Sequence, residues 1–294
     1  MRVSCVNNYN TNPSFDGYTF RKNRCPIYLN PIKYQVDKLF DRSLTASRWR
    51  ITPIAQDLQP YFEEVQLKSK DVDTYAYDFT NKNGASKYVL MLHGLGHNIS
   101  ALQPLFRRII MQTDYSVFAP EYRAFGKNPP ETISNETFLR DTQAAYDYLV
   151  KDKGINPKDI CVIGHSFGGF TASQLVKKNP NTGRLILVAP LDNFGDEMVR
   201  SSAIKHISPF ALKLLRNISL LRAYLRNLFN TKKQLEKSTV PVDIIHSMND
   251  RVISYKTAQY LAENTHNLQG MHLLKTGGHV MEEKKMAAII TLLK

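Results

Sequence analysis

Nothing in the chain approaches the run of about 18 apolar residues that a membrane-spanning helix needs, although 43% of its 294 residues are hydrophobic. The apolar residues are dispersed, and the length suffices for one large core, or one core with a small insertion. Cysteine is scarce. Cys5, Cys25 and Cys161 do not make a disulfide framework, and Cys161, inside an apolar run, reads as a small core residue. Met1 to Asn12 is polar and Asn-rich and lacks the apolar centre of a secretion signal. These absences point to a reducing cytoplasm. Metal-binding patterns are missing too: no H-E-x-x-H, no Asp-rich loop and no zinc-type Cys spacing. No dinucleotide fingerprint or P-loop is present, so the expectation is no metal and no cofactor. Acidic residues are outnumbered, 26 against 39 basic ones, for a net charge of +13. Such a charge attracts nucleic acid, anionic lipid or acidic ligands. Without a helix-turn-helix, zinc-finger or RNP-type pattern, no nucleic-acid role is expected. A basic solvated surface is the simplest reading, with contact to an anionic membrane as the sharper one.

What is present begins in earnest at Tyr61. Met1 to Pro60 shows only weak helical spacing at Ile32, Val36, Leu39 and Phe40, and reads as an N-terminal extension packing on the rest. Phe62 to Leu67 and Val72 to Phe79 alternate with period two and predict a hairpin. The nearly continuous apolar run Lys87 to His93 predicts a strand covered on both faces. Then follow a helix near Ser100 to Gln112, a strand near Ser116 to Ala119 and a helix over Glu136 to Val150. Further strands are expected at Ile160 to Ile163, Arg184 to Ala189, Pro241 to His246 and Met271 to Leu274, with helices at Tyr255 to Glu263 and Met281 to Leu293. Strands alternating with helices imply an α/β fold: a mostly parallel, doubly wound sheet with helices on both faces. Ligands then bind beyond the carboxyl ends of the strands.

Gly164-His165-Ser166-Phe167-Gly168 sits between the Ile160 strand and a helical stretch, and fits G-x-S-x-G. That context makes the motif meaningful: a strained turn presents the Ser hydroxyl at the sheet edge. Serine is a weak nucleophile and needs a base, itself oriented by an acid. Among 8 His, His279 is the best base, because Gly277-Gly278-His279 lies between the last strand and the last helix. Asp250 is the best acid, after the Pro241 strand and before a helix. Asp192, after the Arg184 strand, competes with it, and Asp at either place also suits a helix N-cap. The backbone N–H groups of Phe167 and Leu95 are the expected oxyanion donors. His93 reads as a loop-orienting residue.

Leu92-His93-Gly94-Leu95-Gly96, Glu121-Tyr122-Arg123-Ala124-Phe125-Gly126-Lys127, Gly164 to Gly169, His246-Ser247-Met248-Asn249-Asp250-Arg251-Val252 and Gly277-Gly278-His279 occur in that order. With them the chain resembles the α/β-hydrolase superfamily, from about Phe62 to Lys294, and within it the serine aminopeptidase and monoacylglycerol-lipase-like group. The resemblance implies Ser166 as nucleophile, His279 as base, Asp250 as acid, and an acyl-enzyme resolved by water. Two positions depart from it: Ala124 where Gly is frequent, and Ser247 where His-Gly is common. The group spans esterases, lysophospholipases, thioesterases and peptidases, so the fold does not choose the substrate. An acyl ester, small or lipid-like, is the expected substrate; the alternatives are an acyl-thioesterase or aminopeptidase on the same machinery, or a catalytically silent binding protein on this fold.

Between about 192 and 239 the alternation breaks, as for a helical cap. Ile207, Ala211, Leu214, Ile218, Leu221, Leu225 and Leu228 form one apolar stripe, with Lys213, Arg216, Arg222 and Arg226 largely off it. A cap helix packing on the core accounts for the pattern. So does a basic amphipathic lid that touches anionic membrane.

Overall fold

The structure is a computed structural model and describes residues 51–193 and 229–294, apart from 70, 85, 130 and 132. The expected apolar stripe between Ile207 and Leu228 lies outside the described residues, as does the extension through residue 50.

Eight strands form one sheet: β1 (Phe62–Leu67), β2 (Thr74–Phe79), β3 (Lys87–Leu92), β4 (Tyr115–Pro120), β5 (Ile160–His165), β6 (Arg184–Val188), β7 (Val242–Ser247) and β8 (Leu268–Leu274). Their order is β1-β2-β4-β3-β5-β6-β7-β8. β1 and β2 are an antiparallel hairpin with Val65 opposite Ala76, and β2 is antiparallel to β4. From β4 onward every pairing is parallel. The α/β-hydrolase type of sheet read from the sequence is therefore the one observed.

Period-two alternation explains why both faces are covered. Tyr88, Leu90 and Leu92 enter one core with Val162, Leu185, Leu187 and Ile244, while Val89 and Met91 enter the other with Cys161, Ile163, Ile186 and Ile245. Helices α2 (Asn135–Asp147), α3 (Phe167–Lys178) and α5 (Tyr255–Glu263) close the first core through Ala145, Leu175 and Leu261. The second is closed by α1 (Gln103–Gln112) and α6 (Glu283–Leu293), through Phe106, Ile109, Ile289 and Leu293. A short helix, α4 (Thr231–Leu235), re-enters the sheet layers before β7. Residues 51–60 lie on the second core: Thr52 N donates to Ser100 Oγ at 2.8 Å, and Leu58 is fully buried.

Boundaries shift for local reasons. The helix expected from Ser100 starts instead as a 3-10 turn, Ile99–Leu102, with α1 proper beginning at Gln103. Pro104 lacks the N–H that would continue an α-helical ladder through the turn. The helix expected to Val150 leaves α geometry at Asp147 for a π turn, Tyr148–Asp152, which delivers Lys153 to the buried Asp78. β8 starts three residues before the apolar run at Met271, because an edge strand pairs through its backbone whatever its side chains. Among the described residues no helix is long and apolar enough to cross a membrane.

Candidate active site

β5 ends at His165, and the next residue cannot continue the strand. Ser166 has φ 55° and ψ −120°, outside the regions that L residues prefer. Holding a non-glycine there costs about 1–3 kcal/mol, so the surroundings must enforce it. Ser166 N donates to Val188 O at 2.9 Å, and Gly169 N donates back to Ser166 O at 2.9 Å. The crossing of strand and helix leaves no room for side chains. A Cβ on Gly164 would stand 2.4 Å from Gly168 O, and one on Gly168 would stand 2.1 Å from Leu92 O. Here glycine is required by close approach of backbone to backbone.

The carboxyl ends of β5, β7 and β8 bring three distant residues together. His279 Nε2 lies 3.0 Å from Ser166 Oγ, and His279 Nδ1 lies 2.8 Å from Asp250 Oδ2. An ionised carboxylate only accepts. Nδ1 therefore carries the proton, and Nε2 presents its lone pair to the Ser166 hydroxyl. Asp250 is fixed in turn: its Oδ1 accepts from Val252 N at 2.8 Å and Ile253 N at 2.9 Å. The competing acid is otherwise engaged, with Asp192 Oδ2 accepting from Asn193 Nδ2 at 3.0 Å. Burial works against ionisation of the Asp250 carboxyl, but hydrogen bonds from His246 and His279 outweigh it and hold the group well below the usual carboxylate range.

The motifs assign no role to His246, which stands one residue before the end of β7. Its fully buried ring turns along the loop, with Nε2 3.0 Å from Ile253 O and 3.3 Å from Asp250 Oδ2. His165 is likewise buried, and its Nε2 lies 2.9 Å from the His279 carbonyl. Since a carbonyl only accepts, Nε2 is the protonated nitrogen. Burial pushes the His165 imidazole down to about 3, so it stays neutral. A period-two strand end is the signal for both: a polar ring on a fully buried strand must find a partner.

The loop after β3 lies against the nucleophile. A Cβ on Gly94 would come within 3.0 Å of Ser166 Cβ, and Leu95 follows it, while Phe167 opens α3 directly after Ser166. Buried His93 braces this loop, with Nδ1 2.8 Å from Gly94 O and Nε2 2.7 Å from Glu121 Oε1. Glu121 Oε2 also accepts from Ile99 N at 3.1 Å. Ala124, the departure from Gly, indeed takes the left-handed region at φ 63°. Its neighbour Arg123 is clamped by Asp141 and Asp71. Beyond the nucleophile, Phe167, Phe170, Leu191, Phe229 and Ile253 pack with Tyr122 and Phe138 in an aromatic-rich cluster, which Leu95 borders. No group of three or more His, Cys, Asp or Glu among the described residues is placed to hold a metal ion.

This sheet order, with a strained Ser on the β5–α3 turn, agrees with what comparison with known proteins returns. The chain has the α/β-hydrolase fold and is similar to proteins of that superfamily. The family model described as "Serine aminopeptidase, S33" matches residues 84–227, a span that holds the Ser166 turn but neither Asp250 nor His279. A protein of Acanthamoeba polyphaga mimivirus named as an α/β-hydrolase is 23% identical over 201 residues, covering 67% of this chain and 69% of that one. An α/β-hydrolase structure from Vibrio vulnificus superposes with a TM-score of 0.67 at 19% identity, covering 92% and 96% of the two chains. An esterase from Pyrococcus furiosus gives 0.65 at 17%, covering 84% and 97%. At these identities the structural likeness speaks for the α/β-hydrolase fold.

Proposed function

We propose that this α/β-hydrolase is a serine hydrolase that cleaves carboxylic acyl esters. The observation that carries the reading is the hydrogen-bonded row Ser166–His279–Asp250, seated on a turn whose backbone holds the serine at positive φ. Ser166 Oγ attacks the ester carbonyl while His279 Nε2 takes its proton. The carbonyl electron pair moves onto oxygen, where the Leu95 and Phe167 N–H groups are the donors. The intermediate collapses by breaking the C–O bond, and His279 returns the proton to the leaving alcohol. Water then attacks the acyl-enzyme, giving up a proton to His279. The acid is released and Ser166 recovers its hydrogen. Asp250 keeps the imidazole in the Nδ1–H tautomer and stabilises the imidazolium.

Thioesters and peptides can use the same machinery, and the aminopeptidase family model names the second. An aminopeptidase needs an acidic anchor for a substrate amine. Asp192 accepts from Asn193, while Asp196 and Glu197 lie outside the described residues. The apolar side chains beside the nucleophile support an acyl group instead. A fluorophosphonate probe, which reacts with activated serines, tests the core of the reading. Wild type should label and Ser166→Ala should not, with loss of about 10⁶-fold in kcat on any substrate turned over. Labelling that persists in Ser166→Ala refutes the assignment. Rates on p-nitrophenyl esters, acyl-thioesters and aminoacyl-anilides then rank the leaving groups, and anilides ahead of esters would favour the peptidase.

A further inference from the structure

Lysine is almost never fully buried unless it is paired, yet Lys285 on α6 has no exposed surface. Its partners are backbone carbonyls. Nζ donates to Gly277 O at 2.6 Å, Gly278 O at 2.5 Å and Val280 O at 2.9 Å, which uses all three ammonium protons. The residue skipped in that series is His279, and its carbonyl is the one that takes the His165 Nε2–H at 2.9 Å. Four successive carbonyls, 277 to 280, are thus held from two sides. Gly277 at φ 132° and Gly278 at φ 51° let the chain turn its carbonyls inward.

We propose that Lys285 is a positioning residue for His279: from inside the core it gathers the flanking carbonyls onto one ammonium and fixes where the imidazole stands. The proposal rests on the reading of Ser166 and His279 as nucleophile and base. Desolvating an ammonium is costly, and an apolar residue would fill the same space on an amphipathic helix without that cost. The expense is explained by what the ammonium alone can do, which is to bind three convergent carbonyls at once. Burial outweighs the attraction of the Asp250 and Glu282 carboxylates and brings the Lys285 ammonium below the usual lysine range. With all three protons on backbone carbonyls, Lys285 has none left for the Ser166, His279 or Asp250 side chains, so it acts through the loop. The His279 ring has little tolerance, because a displacement of about 1 Å in a reacting group can cost on the order of 100-fold in rate.

The test measures the maximal fluorophosphonate labelling rate kinact and the half-saturation KI, alongside thermal melting. Lys285→Met keeps the volume and removes the donors, so kinact should fall about 100-fold while KI stays within about threefold. Lys285→Arg, which keeps cationic donors, should recover at least about tenfold of that loss. Ile289→Ala, a core truncation on the same helix, should lower the melting temperature but leave kinact within about twofold of wild type. Should Lys285→Met not fold, Lys285→Gln takes its place. Wild-type kinact in the Met or Gln variant, or an equal loss in Ile289→Ala, overturns the positioning role while wild-type labelling at Ser166 leaves the serine hydrolase reading standing. Failure of wild type to label at Ser166 overturns that reading, and the positioning role with it.

Discussion

Replacing His246 by Phe should slow the enzyme far less than losing the acid itself, and should shift its acid stability. The ring is fully buried at the end of β7, so Phe fills its space. Two bonds go: the one to Ile253 O at 3.0 Å and the one to Asp250 Oδ2 at 3.3 Å. Asp250 keeps His279 at 2.8 Å, Val252 N at 2.8 Å and Ile253 N at 2.9 Å. A hydrogen bond to a charged group contributes roughly 1.5–3 kcal/mol, and at 3.3 Å the lower end applies. Stranding the Ile253 carbonyl adds about 1–2 kcal/mol, for a total of about 3 kcal/mol and a melting temperature lower by roughly 5 °C. Only the share that reaches His279 through Asp250 affects catalysis, so kcat should fall about tenfold, against about 10⁴-fold for Asp250→Asn. The pH sign follows from the depressed Asp250 carboxyl. Its contribution is fully present above the unfolded value of about 3.9 and is lost as pH falls toward the folded one. Removing a donor raises the folded value, so acid unfolding of His246→Phe should set in at higher pH than in wild type. The assay is kcat on the best ester of the panel, with melting followed from pH 7 downward to about 3. A loss as large as that of Asp250→Asn, or unchanged melting at both ends of the range, would refute the reasoning.

Two further pairs of substitutions read the frame around the site. Gly168→Ala places a methyl 2.1 Å from Leu92 O and 2.7 Å from His93 O, backbone atoms that cannot yield cheaply. It should cost about 3 kcal/mol or more, whereas Gly96→Ala, with nothing within 4 Å, should stay within about 0.5 kcal/mol in urea unfolding. The two carboxylates on Arg123 differ in burial, Asp141 having a side chain 0% exposed and Asp71 34%. Asp141→Asn should therefore destabilise by about 3 kcal/mol and Asp71→Asn by no more than about 1 kcal/mol. Equal shifts in the two midpoints would show that burial does not set the value of these pairs.

Ser166, Asp250 and His279 are legible in the chain because each follows a strand whose apolar run is itself legible, and parallel strands deliver their carboxyl ends to one edge. The hairpin Phe62–Phe79 and helix Tyr255–Glu263 are legible for the same reason: their periodicity is local. Strand order is not. β3 and β4 are both continuous apolar runs, and nothing in either says that β4 will insert between β2 and β3. Nor is the second layer of the site. Lys285 belongs to the run Glu282-Glu283-Lys284-Lys285, which reads as a solvated helix start, and only the register of α6 turns one of the two lysines into the core. Lys284 reaches Thr276 Oγ1 at the surface, while its neighbour takes three carbonyls in the interior. His246 and His165 are similar cases, since each lies in the last two residues of a strand buried on both faces, where sequence cannot say which acceptor the ring will meet. Nucleophile, base and acid are chosen by chemistry and so restrict residue type. Their supports need only a donor of suitable reach, which many residue types supply, and identity then comes from geometry. It is at such supports, rather than at the three reacting side chains, that this chain departs most from what its motifs announce.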